Sequence, residues 1–505
     1  MAHAILHEHA LFPDKQYLKW IQIVYPGLSA VGQKSQKFLI NLLLFALTKK
    51  YYLTMRKICL LFILPVFAVL SAQNPDVKKS IDSVLTNFQR NNAFSGSVLL
   101  QKNGETIYKG EFNKFTQGVD AYRIGSITKV FTAIVTFQLI EEGKLSLDSK
   151  LSQYFPAIKN AEMITIGNML NHTSGIYNYL EWEDYYDQKS KNYTREDMFK
   201  LVQQGKPDFK PGKESSYSNS NYLLLGYIIE DITGKSYEEN VKMRILNKIG
   251  MHNTYCEKDQ TQYSKRTQSY KFDGENWSKE PDTHPSFTFA TGDIVSTTED
   301  LSKLMHELFK GNLLSKNSLE QMTKTNPQSF IGSGLFKTPI YNKTGYGHTG
   351  RIDEFHSGVA YLPEDNFSIA VLANGTNVKL NDIVIGVISK YYQKKYTYPD
   401  FTTYHSETAP PTEIYHGIYK AKLAGLITVG TFQVTPAGKN HLFIAMHDDE
   451  KKNKEGRKAL LKRTGENTFY SFDNGAELRF LLNEKGKVTG IKLTQGKQSI
   501  NCKKI

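Results

Sequence analysis

The stretch YRIGSITKVFTAIV, residues 122–135, sets a serine and a lysine three positions apart at the head of an apolar run. In a helix, residues at that spacing lie one turn apart on the same side, so the Lys129 amine would stand close to the Ser126 hydroxyl. An unassisted hydroxyl is a poor nucleophile at neutral pH, because it must lose its proton as it attacks. Lys129 could take that proton only if its pKa fell from about 10.4, through burial or cationic neighbours. A serine at a helix start gains a second benefit, since free backbone N–H groups there favour developing negative charge. The plain alternative is an N-capping serine followed by a solvated lysine, because Ser-x-x-Lys by itself is common.

Outward from that pair, a chain of 505 residues suggests two or three domains. Its apolar and charged fractions, 40% and 22%, are those of a globular protein with a core of useful size. The formal charge of +13 raises the question of a nucleic-acid partner. However, the first 72 residues hold eight Lys or Arg against two Asp or Glu, leaving 55 against 48 in the remainder, without a basic block. A mildly basic domain with no nucleic-acid partner is the expectation. Met55-Arg56-Lys57, the apolar run Ile58 to Leu70, and Ser71-Ala72-Gln73 have the layout of a secretory signal peptide over residues 55–72, with a mature start at Gln73 and residues 1–54 as an upstream extension or leader. The protein is thus expected to be exported, periplasmic or secreted; a retained signal would act as a membrane anchor.

Cys59 leaves with that signal, and Cys256 and Cys502 lie far apart, so no disulfide framework is expected. The histidines are scattered, with neither His-Glu-x-x-His nor Cys-x-x-Cys, which gives a metal site no support. No dinucleotide or phosphate glycine loop appears, and no cofactor is expected. Helices are predicted over Val77–Arg90, from Ser126 to about Glu142 with a stop at Gly143, over Asn221–Ile232, over Thr298–Phe309 and over Asn381–Lys394. Asn103-Gly104 between alternating runs predicts a hairpin, and SGVAYLP and FSIAVLANG predict strands. Residues 396–412, rich in Tyr, Thr, Pro and Ser, read as a linker. Beyond it, short alternating runs separated by Gly, Asn and Lys predict a small β-domain over 413–505.

Three further segments follow Ser126 in order: ITIGNMLNHTSGI (164–176), PGKESSYSNSNYLLLGYIIEDITGKSY (211–237) and YGHTGRIDEFHSGVAYLPEDNFSIAVLANG (346–375). With these spacings the set resembles the serine beta-lactamase and penicillin-recognising family, nearest to the hydrolases related to class C beta-lactamases. The resemblance covers roughly residues 80–390. It implies an α/β (α+β) fold, a beta-lactamase/transpeptidase-like antiparallel sheet with flanking helices, over residues 73–395. It also implies a hydrolase that acts through an acyl-enzyme on a β-lactam, a D-amino-acid peptide or a small ester. The other class of function is a sensor that keeps the pocket without turnover. Either way the expected partner is a small molecule or peptide.

By the same resemblance, Ser126 is the acylated nucleophile and Lys129 its activating partner. Tyr217-Ser218-Asn219 matches a Tyr-x-Asn element: Tyr217 would exchange protons with Ser126 and the leaving group, and Asn219 would hydrogen-bond Lys129 and a substrate amide. The chain holds both Lys343-Thr344-Gly345 and His348-Thr349-Gly350, and the second is taken as the strand-edge motif, with Lys343 in that role as the alternative. Backbone N–H groups of Ser126 and Arg351 would then form the oxyanion hole. His348 would bind a substrate carboxylate weakly when neutral and better when protonated, so that activity would fall above its pKa. His172 is expected to brace a loop. Glu181, Glu183 and Asp184 match no deacylating glutamate, so deacylation would run through Tyr217 and Lys129. Asp353, Glu354 and His356 read as solvated neighbours of the sheet edge.

Overall fold

The computed structural model describes residues 75–505 apart from 116–119, 183, 259–263, 327–328, 403, 405–407, 424–426, 448–457 and 473–474. The signal-like segment 55–72, the extension before it and Glu183 lie outside the described residues. Helix α1 (Pro75–Arg90) leads into strands β1 (Phe94–Lys102) and β2 (Glu105–Glu111). Their turn places Asn103 at φ 55° and Gly104 at φ 81°, the doubly left-handed geometry that suits the twist of a two-residue hairpin. Next come β3 (Tyr122–Arg123), a 3₁₀ turn (Gly125–Ile127) and α2 (Thr128–Glu141), which ends at Glu142 with Gly143 at φ 69°. Helix α3 (Asn219–Thr233) ends the same way at Gly234, φ 64°. It starts two residues before the predicted Asn221.

Short strands β4 (Tyr255–Cys256), β5 (Tyr270–Phe272), β6 (Trp277–Lys279) and β7 (Ile294–Ser296) precede α4 (Thr298–Phe309), which Thr297 caps by accepting from Asp300 N. Strands β8 (Phe336–Ile340), β9 (Lys343–Ile352), β10 (Phe355–Leu362) and β11 (Phe367–Thr376) then lead to α5 (Leu380–Tyr391). The main sheet runs β2-β1-β11-β10-β9-β8, every pair antiparallel. Strands β10 and β11 are buried throughout, because the sheet is covered on both faces. Ile369, Val371 and Ala373 face one core with α1 and α5, while Ala370 and Leu372 face the other with α2 and α3. Each fully buried Val, Ile or Phe in these layers contributes roughly 1.5–3 kcal/mol.

The C-terminal β-domain is a closed barrel of β12 (Gly417–Leu423), β13 (Ile427–Pro436), β14 (His441–Met446), β15 (Ala459–Gly465), β16 (Thr468–Tyr470), β17 (Ala476–Leu482), β18 (Val488–Gln495) and β19 (Gln498–Lys504). Along β17, Ala476, Leu478 and Phe480 point inward and Glu477 and Arg479 outward, the period-2 pattern that fills such a barrel. Residues 396–401, at the start of the segment read as a linker, are packed. Tyr396, Tyr398 and Phe401 pack against the core of α1 and α5, and Phe401 stacks on Phe472 at 5.5 Å. Large aromatic side chains at these positions bury enough area to dock that end of the segment. Cys256 and Cys502 are both buried and free.

Candidate active site

Every residue from Tyr122 to Leu139 is buried except Ser126. A buried segment thus opens to solvent at one hydroxyl. Ser126 sits in the 3₁₀ turn ahead of α2, and no side chain caps that turn or the helix, so the capping alternative does not hold. Lys129 has no exposed surface. Its Nζ donates to Ser126 Oγ at 3.0 Å and to Thr291 O at 2.9 Å. The same amine stands 5.2 Å from the Tyr217 ring centroid and 5.8 Å from that of Tyr222.

Tyr217 lies on the irregular segment just before α3, and His172 holds both of its flanks. Ser216 N donates to His172 O at 3.0 Å, and Ser218 N donates to His172 Nδ1 at 3.1 Å. The His172 ring also stacks on Tyr217 with centroids 4.3 Å apart. Because Nδ1 accepts a backbone proton, the ring is unprotonated there. Burial, then the Lys129 charge, push its pKa well below the usual histidine value. Asn219 is the first residue of α3. Its backbone N and Nδ2 both donate to Asn178 Oδ1, at 3.0 and 3.1 Å.

The strand side of the site comes from β9. Gly125, at φ 50°, and Gly350 let two backbones meet: a Cβ on Gly125 would fall 2.8 Å from Arg351 N, and one on Gly350 would fall 2.0 Å from Ile124 O and 2.9 Å from Ser126 N. Residues 124–126 and 350–351 are thereby in close backbone contact just ahead of α2. His348 is buried, its ring 4.5 Å from Phe336 and 6.3 Å from Tyr217. Its Nδ1 is bonded to Thr349 O, and since a carbonyl only accepts, Nδ1 carries the proton and Nε2 the lone pair. Burial, then Lys129, lower its pKa to about 3. This moves the expected titration of His348 well below the usual histidine range. Thr349 is half-buried beside it on β9. Lys343 stands at the far end of β9, about 17 Å away along the strand, paired with Asp365 at 2.8 Å.

Two residues read as solvated are not. His356 is buried, and Asp353 has no exposed side-chain surface. Asp353 instead receives Arg123 Nη1 at 3.1 Å and Lys189 Nζ at 2.8 Å, and its carboxyl pKa is depressed: burial alone would raise it, but Arg123 and Lys189 hold it down. Sequence reasoning also missed Thr291, Asn178 and Arg123. Only Arg123 carried a signal, a charge inside an apolar run. Among the described residues, no group of three or more His, Cys, Asp or Glu is placed to hold a metal ion, and no helix is long and apolar enough to cross a membrane.

The sequence model described as Beta-lactamase matches residues 81–384. The chain is 28% identical over 262 residues to the putative penicillin-binding protein PbpX of Bacillus subtilis (strain 168), which covers 50% of this chain and 65% of that protein. It is 29% identical over 298 residues to the teichoic acid D-alanine hydrolase of Staphylococcus aureus (strain MRSA252), 56% of this chain and 71% of the relative. Among solved structures, a D-stereospecific amidohydrolase from Streptomyces sp. superposes with a TM-score of 0.54 at 26% identity, over 62% of this chain and 97% of that one.

Proposed function

The chain belongs to the beta-lactamase family, and from that premise we propose that it is a serine hydrolase that cleaves an amide or ester through an acyl-enzyme on Ser126. The observation that carries this reading is the 3.0 Å contact between a buried lysine amine and the one solvent-open hydroxyl of its segment. Ser126 Oγ attacks the carbonyl carbon while its proton passes to the basic pair of Lys129 and Tyr217. The carbonyl oxygen gains charge facing the N–H groups of Ser126 and Arg351, donors in place before the charge develops. As the tetrahedral species collapses, the leaving amine or alcohol takes the proton. Water then attacks the acyl carbon and returns the serine hydroxyl.

The finer substrate class follows from His348. With the proton on Nδ1, Nε2 offers a lone pair, which suits a hydroxyl or N–H of the substrate and repels a carboxylate. The Lys-Thr-Gly cation that could neutralise a carboxylate is engaged elsewhere by Asp365. A D-aminoacyl ester or amide without a free carboxylate next to the scissile bond fits this chemistry, and the likeness to a teichoic acid D-alanine hydrolase and to a D-stereospecific amidohydrolase supports it. The test is a panel of a D-alanyl ester, a D-amino-acid amide, a peptide ending in a free D-alanine carboxylate and a cephalosporin, each run with the parent and Ser126→Ala. Turnover of the first two, absent in Ser126→Ala, is expected; equal rates for Ser126→Ala overturn the reading. The sequence of residues 55–72 supports export, and N-terminal sequencing of the extracytoplasmic protein should begin at Gln73.

A further inference from the structure

Asp353 occupies the two-residue turn between β9 and β10 with φ 51°, a left-handed conformation that favours glycine. A side chain kept at such a position is held by its contacts. One carboxylate oxygen takes Lys189 Nζ at 2.8 Å and Thr283 Oγ1 at 2.7 Å, and the other takes Arg123 Nη1 at 3.1 Å and Thr283 N at 3.0 Å. Arg123 in turn reaches Thr283 O at 2.9 Å and pairs with Glu257 at 3.2 Å, and neither Arg123 nor Glu257 is exposed. Burying so many charges is costly unless each is matched, and a cluster of this kind tolerates little displacement.

Its position in the chain gives that rigidity a use. Arg123 is three residues before Ser126, and Asp353 is two residues after Arg351. The Arg123–Asp353 pair therefore joins the two backbone segments that approach closely at Gly125 and Gly350.

We propose that the Arg123–Asp353–Lys189 cluster is a positioning device for the oxyanion site, with Asp353 setting the separation and direction of the Ser126 and Arg351 N–H groups. This rests on the hydrolase reading of Ser126. Asp353 acts through Arg351 and is a positioning residue, felt most where charge develops on the carbonyl oxygen.

The experiment compares Asp353→Gly, which relaxes the turn and removes the carboxylate, with Asp353→Asn, which keeps the shape and removes the charge. Rates are scored per Ser126 titrated with a fluorophosphonate, so that misfolded protein is not counted, and each variant is also titrated with a boronic acid that forms a tetrahedral adduct. Both variants should lose about 30-fold or more in kcat with KM within about twofold, and boronate affinity should fall by a similar factor, as when an interaction made only in the transition state is removed. If Asp353 serves only the turn, Asp353→Gly keeps the parent rate per titrated site, and the proposal is overturned. Should both variants fail to fold, Lys189→Gln, which leaves Arg123 on Asp353, should show the same split at about fivefold in kcat; an unchanged kcat there also overturns it. Ser126→Ala runs alongside: its full activity sinks the hydrolase reading, whereas its inactivity together with unaffected Asp353 variants sinks only the positioning role.

Discussion

Gly350→Ala puts the geometry of the oxyanion site to a direct test. The added methyl would lie 2.0 Å from Ile124 O, 2.5 Å from Ser357 Oγ and 2.9 Å from Ser126 N. Ser357 Oγ could rotate away only by giving up its 2.7 Å hydrogen bond to Ile124 O. The carbonyl of Ile124 has no such freedom, because it belongs to the backbone that presents Ser126. A carbon needs roughly 3.3 Å from a carbonyl oxygen even in a close C–H···O contact, so β9 must retreat by about 1.3 Å. A shift of about 1 Å at the reacting centre costs on the order of 100-fold in rate, or about 2.7 kcal/mol of transition-state stabilisation. Strain from overpacking adds about 1–3 kcal/mol of lost stability. Gly143→Ala is the control: its φ is 69° but nothing lies within 4 Å, so it should lose about 1–2 kcal/mol of stability with kcat unchanged. The assay is ester hydrolysis per titrated Ser126 beside urea unfolding. A folded Gly350→Ala enzyme with kcat within threefold of the parent would refute the proposed use of the Arg351 N–H.

Lys129→Met keeps the length of the buried side chain but removes the base, and should cut acylation by about 10²–10⁴-fold; intact-protein mass spectrometry should find no acyl adduct on the timescale of parent turnover. His172→Ala leaves the buried Ser218 N–H without its acceptor, which costs about 1–3 kcal/mol, and frees Tyr217; thermal unfolding and kcat should both fall, whereas an unchanged kcat would show that Tyr217 is held by something else. With the His348 pKa near 3, the pH–rate profile should show no fall near pH 6.5, and a fall there would reinstate a protonated imidazole as the binding group. Burial raises the Asp293 carboxyl pKa from 3.8 to about 7, so the unfolded chain ionises first and stability drains away as pH rises from about 4 to 7. Asp293→Asn should therefore stabilise the protein more at pH 8 than at pH 4, by up to about 4 kcal/mol in urea titrations; equal effects at both would mean the carboxyl ionises freely.

Which of these features the sequence discloses depends on how far apart in the chain the interacting groups lie. The end of α2 at Gly143 and the turn at Asn103-Gly104 are local: one or two residues fix the backbone, and the flanking apolar pattern does the rest. Ser126 and Lys129 are legible for the same reason, three positions apart on one helical turn. The start of α3 misleads at short range: the apolar pattern begins at Asn221, yet Ser218 is the extended residue before the helix and Asn219 is already helical. The ion cluster fails at long range. Arg123 and Asp353 meet across 230 positions, and a carboxylate in a polar turn looks solvated until its partner is known. A partial rule still follows from the energetics. An arginine within a run as apolar as residues 122–139 cannot be left buried and alone, so its presence requires at least one buried carboxylate from elsewhere in the chain. Arg123 thus announced that a partner existed, while only the fold could choose Asp353 and Glu257 from the many acids available.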